Sequence, residues 1–159
     1  MKSKLSIVQF RNRIKENTKI GSPKFKSSLF GVFTVFDGST EKFYGLIDDS
    51  NFRLTMNTTL YPTFYVLKGK YKNVNSELNI DYTIESSNKF QLIWMKYFPF
   101  VFLFVFNLMF ILNQKNTPLF VSIVFNLFIV FIIFFSRWDI NRKKKKLEKE
   151  FIEIFEIIP

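Results

Sequence analysis

The chain has 159 residues, of which 23 are Lys or Arg and 13 are Asp or Glu, a net charge of +10, and it contains neither histidine nor cysteine. Those two absences remove disulfides, thiolate chemistry, the usual general base and the commonest metal ligand. The length leaves room for one compact module plus a pair of long helices.

Met1 to Ile20 starts with basic residues but never develops the continuous apolar core of a signal peptide, and it is not read as a cleaved leader. Ile7, Phe10 and Ile14 follow a three-to-four-residue spacing that predicts a short helix. Such a basic segment, residues 1–20, fits either the surface of an anionic membrane or the face of the sheet that follows. Gly21-Ser22-Pro23 ends it.

Residues 25–90 read as a small β-rich domain. Ser28 to Phe36 and Lys42 to Asp48 flank Asp37-Gly38-Ser39-Thr40, and the Asp-Gly pair suits a hairpin turn because it tolerates positive φ. Phe52, Leu54 and Met56 alternate with polar residues, Thr58 to Pro62 is a loop, and Thr63 to Lys72 is again extended. There Leu67 and Tyr71 fall on one face and Lys68, Lys70 and Lys72 on the other. After a turn at Asn73 to Ser76, Leu78, Ile80, Tyr82 and Ile84 share a face. The pattern predicts an antiparallel sheet with one apolar and one wet face.

Two long apolar runs follow, residues 92–112 and 118–136, divided by Asn113-Gln114-Lys115-Asn116-Thr117. A membrane-spanning helix needs about 20 mostly apolar residues, because its backbone groups must be satisfied within the segment. Both runs approach or meet that length, so the pair predicts a transmembrane helical hairpin. About half of the 23 phenylalanines lie in it. Basic residues flank its ends at Arg137 and at Arg142 to Lys146, against Lys115 alone in the loop. By the positive-inside rule both termini of this cell-membrane protein are then expected to be cytoplasmic and the loop external. Asn107 and Asn126 come at similar depth, so in an antiparallel pair the amides can meet as an interhelical clamp. Pro99 is expected to delay or kink the start of the first helix.

From Asp139 to Ile158, Leu147, Phe151, Ile154, Phe155 and Ile158 form an amphipathic stripe. An antiparallel sheet with a bare apolar face needs a cover, and a hairpin returns the chain to the side it left, so residues 139–158 are expected to close the sheet. The fold class is thus an α+β membrane protein: a small sheet, an inserted helical hairpin and a C-terminal helix packed on the sheet.

Two basic groups are candidates for contact with anionic lipid or a partner: Lys68, Lys70 and Lys72 on the sheet, and Arg142, Lys143, Lys144, Lys145 and Lys146 beside the membrane. A solvated strand face that discourages edge pairing accounts for the first group almost as well. Nucleic acid is not expected, since no recognition motif accompanies the charge. The acids Asp48, Asp49, Asp81 and Glu85 show no metal-ligand spacing, and no nucleophile–base pair or phosphate cradle is present, so neither an enzyme nor a cofactor is expected.

The segments Tyr65 to Tyr71 (YVLKGKY), Leu78 to Ile84 (LNIDYTI) and the closing helix Leu147 to Ile158 resemble those of small bacterial membrane proteins with a pleckstrin-homology-like domain and two membrane helices. In those proteins the hairpin usually precedes the domain, whereas here it falls between sheet and closing helix. The resemblance implies a binding or scaffolding module without catalytic residues. The expectation is a membrane-anchored module for a protein partner or anionic lipid; the alternative is a subunit of a homo-oligomer or larger membrane complex assembled through the hairpin.

Overall fold

The computed structural model describes residues 1–21, 40–57, 64–75, 77–112 and 119–158. The predicted strand at Ser28 to Phe36, the turn at Asp37 to Ser39, the loop at Thr58 to Pro62 and the loop at residues 113–117 lie outside them. The chain divides into two compact units, Met1–Asn88 with Lys143–Pro159, and Lys89–Arg142.

The first unit is α+β. Its elements are β1 (Lys2–Ser3), α1 (Ile7–Glu16), β2 (Thr18–Ile20), β3 (Phe43–Ile47), β4 (Asn51–Met56), β5 (Tyr65–Val74) and β6 (Glu77–Ser86), followed much later by β7 (Ile157–Ile158). They form one seven-stranded sheet in the order β2-β3-β4-β5-β6-β1-β7. The long central pair β5–β6 runs antiparallel from Tyr65↔Ser86 to Val74↔Glu77 and turns through Asn75, whose φ of 51° suits an Asn. The sheet is mixed rather than purely antiparallel, because β2 pairs parallel with β3. The physical reason is α1: after β1 the chain crosses the sheet as a helix and re-enters at the far edge.

Residues 1–20 therefore supply two strands as well as a helix. Ser6 caps α1, with its hydroxyl accepting from the Gln9 amide while the Gln9 side chain accepts from the Ser6 amide. Phe10 and Ile14 are fully buried in the core, which takes this face away from any lipid surface.

Side-chain alternation gives the sheet two unlike faces. On the inner face Phe43, Phe52, Leu54, Leu67, Tyr71, Leu78 and Ile80 pack against Phe10 and Ile14 of α1 and against Leu147, Phe151 and Phe155. The rings interlock: Phe155 lies 5.0 Å from Phe10 and 6.0 Å from Phe43, and Phe151 lies 5.3 Å from Phe52 and 5.1 Å from Tyr82. Gly69 permits part of this, since a Cβ there would stand 2.3 Å from the Phe52 ring.

Leu147 and Phe151 come from the end of α3 (Leu119–Ile154), with Phe155 in the turn directly after it; α3 is a 36-residue helix that joins the second apolar run to the amphipathic stripe without a break. It stops short of the expected end at Ile158. Glu156 at φ 48° turns the chain out of the helix into β7, so Ile157 is buried and Ile158, expected on the stripe, is exposed. The last carbonyls find donors elsewhere: Ile154 accepts from Arg13, Phe155 from the Ser3 hydroxyl and Glu156 from the Lys4 amide.

The second unit pairs α2 (Lys89–Leu112) with residues 119–142 of α3. Both helices are long and apolar enough to cross a membrane. Their large apolar side chains are mostly exposed, as with Phe104, Leu112, Leu119 and Phe134, while Pro99, Ile129, Ile133 and Ile140 are buried.

Candidate functional site

The outer face of the sheet carries the lysine row. Arg53 stands opposite Lys68, Asn51 opposite Lys70, and Asp81 and Asn79 opposite Lys70 and Lys72. Lys68 is ion-paired with Glu85. Lys70 and Lys72 are exposed. A shallow hollow of about 580 Å³ lies here, lined by Arg53, Lys68, Lys70 and Asp81 among others, and Lys72 is outside it. Arg53, which the sequence reading did not single out, belongs with this group because the β4–β5 register puts it beside Lys68. Pairing with β6 thus brings carboxylates against the lysines, and the face is a mixed-charge surface rather than a purely cationic one.

The aspartates of the β3–β4 turn have local work. The Asp48 amide donates to the Asn51 carbonyl, the Asp48 carbonyl accepts from the Tyr71 hydroxyl at 3.0 Å, and the Asp49 carbonyl accepts from Arg11 at 2.8 Å. Where α3 packs on the sheet, the Tyr82 hydroxyl approaches Glu148 at 3.4 Å. Burial raises the Tyr82 pKa above its ordinary value, and the neighbouring carboxylate raises it further. Burial also raises that of Tyr65. Lys143 lies over the Phe64 ring at 4.9 Å, while Lys144, Lys145 and Lys146 point to solvent.

Inside the hairpin the two amides meet. The Asn107 side chain donates to Asn126 at 2.7 Å and accepts from it at 3.0 Å. Each amide also donates back to its own helix, Asn107 to the Leu103 carbonyl and Asn126 to the Ser122 carbonyl. Phe106 and Phe125 stack beside them with ring centroids 3.5 Å apart.

A second polar link has a different origin. Pro99 lies well inside α2, not in its first turn, because the helix begins at Lys89. Proline has no N–H, so the Met95 carbonyl loses its helical donor. The Ser136 hydroxyl of α3 supplies one at 3.2 Å. In hydrocarbon, where water cannot substitute, such a donor from a neighbouring helix is what makes an internal proline tolerable.

Both tryptophans, Trp94 and Trp138, lie toward the ends of the hairpin remote from the connecting loop. Around them three cations rest over rings: Lys96 over Tyr97 at 5.3 Å, Arg137 over Phe100 at 5.2 Å and Arg142 over Trp138 at 5.1 Å.

Comparison of the chain with protein-family models, curated proteins and solved structures finds no match in any of the three.

Proposed function

We propose that the chain is an integral membrane protein, held by the Lys89–Arg142 hairpin, whose sheet unit is a binding or scaffolding module for a protein partner or anionic lipid. The observation that carries this reading is the inverted polarity of the hairpin. Its apolar side chains face outward, while Asn107, Asn126 and Ser136 turn their polar atoms onto groups within the helix pair. Water as the surrounding solvent would select the opposite arrangement. Tryptophans and cations gathered near one end mark the level of a membrane–water boundary.

A hairpin keeps both its ends on one side, and the Lys/Arg bias toward those ends supports reading that side, with the sheet unit, as cytoplasmic. The resemblance to membrane proteins with a pleckstrin-homology-like domain belongs to the same reading, as does the absence of a catalytic role. Assembly through the hairpin is the weaker alternative, because the two amides are spent on each other and offer a partner helix little.

The chain has no cysteine of its own, so single-cysteine labelling tests this directly. With a membrane-impermeant maleimide, Ser50→Cys and Ile158→Cys are expected to react only in inverted vesicles, and Asn116→Cys only in intact cells. Release of the protein by alkaline carbonate, or labelling of Ser50→Cys and Asn116→Cys from the same side, would overturn the proposal.

A further inference from the structure

Lys96 on α2 and Arg137 on α3 are hairpin cations that neither basic cluster of the sequence reading includes. The Ser136–Met95 hydrogen bond fixes their neighbours against each other, so Lys96 and Arg137 come at one depth. They also share a side. Lys96 and Phe100 are one turn apart on the same face of α2, and the Arg137 guanidinium lies 5.2 Å from the centre of the Phe100 ring. Both are exposed, and among the described residues neither has an acidic partner. Below them, toward the loop, the exposed surface is apolar, with Phe104 on α2 and Phe134 on α3.

We infer that Lys96 and Arg137 form a two-point seat for the phosphate of an anionic phospholipid, whose acyl chains lie along the apolar side of the hairpin. The inference rests on the anchoring reading above. A guanidinium presents paired donors to phosphate oxygens, and an ammonium adds a point charge from the second helix. Phe100 holds the guanidinium by its ring face, which lowers the cost of ordering it before a lipid arrives. Cations at the head-group level are drawn to the negative surface of an anionic leaflet, and an anionic lipid supplies their counter-charge.

The test is lipid retention by the purified full-length chain, read by native mass spectrometry against phosphatidylglycerol and phosphatidylcholine with matched acyl chains. The wild type is expected to favour phosphatidylglycerol by about tenfold, as two juxtamembrane cations allow. Lys96→Gln with Arg137→Gln should abolish that preference, Arg137→Lys should keep part of it, and Lys144→Gln, Lys145→Gln and Lys146→Gln together should leave most of it. Equal retention of both lipids by the wild type, an unchanged preference in the Lys96–Arg137 variant, or loss that follows only the number of charges removed would overturn the inference. Carbonate extraction of the same preparations separates the two readings: a protein that stays in the membrane without preferring anionic lipid sinks this inference alone, and one that is released sinks both.

Discussion

Phenylalanine behaves in opposite ways in the two units. In the sheet unit Phe10, Phe43, Phe151 and Phe155 are fully buried and make the core. In the hairpin Phe104 and Phe134 are each 71% exposed, and the interior is occupied instead by Asn107, Asn126, Ser136 and small groups of apolar side chains. One unit is organised by removing rings from water. The other has little to gain that way if its surroundings are hydrocarbon, and is held by packing and by a few polar links.

The largest expected effect contrasts the two uses of the ring. Phe155→Ala should cost the sheet unit about 3–5 kcal/mol, because it opens a cavity between Phe10, Phe43 and Phe151. Phe104→Ala, on an exposed face, should cost well under about 1 kcal/mol by the same measure. Denaturant titration of the two variants in one detergent would show the difference, and equal losses would break the comparison. The amide pair comes next. Asn107→Leu leaves Asn126 without its partner and should destabilise the hairpin by about 1 kcal/mol. Replacing both amides by Leu should cost less than that single change, which a double-mutant cycle on hairpin dissociation would measure.

The smallest effect is the most specific. Ser136→Ala should cost about 0.5–1 kcal/mol by orphaning the Met95 carbonyl. In a Pro99→Ala background, where the backbone N–H is restored, the same change should cost nearly nothing. Equal cost in both backgrounds would mean that the serine does not answer the proline.

How much of this was legible beforehand depends on the range of each signal. The alternation from Phe52 to Met56 and from Leu78 to Ile84 announced strands because each pattern is complete within a few residues. The two apolar runs were equally plain. β1 and β2 were not, since strands of two and three residues carry no usable period and owe their positions to partners such as Asn79 and Phe43, far along the chain. The capping box at Ser6 and Gln9 was available as a local S-x-x-Q signal marking the start of α1. Among the site residues, Lys68, Lys70 and Lys72 could be read as one face, but the carboxylates set against them depend on the β5–β6 register. The bond from Ser136 to Met95 joins residues in different helices, and only Pro99, which creates the need, was visible in advance.

The position of the hairpin within the chain has a consequence for biosynthesis. β1 sits between β6 and β7, and the sheet's apolar face is covered by residues of α3 that follow the whole second unit. At ordinary rates of translation the ribosome needs on the order of several seconds to make the intervening helices. During that interval the strands have been made but their cover has not, so an apolar surface waits for its last piece. With the hairpin in a membrane, as proposed above, its delivery there precedes closure of the sheet unit. A single crossing in its place would strand Leu147, Phe151 and Phe155 on the wrong side, and the newborn domain would have no lid to wait for.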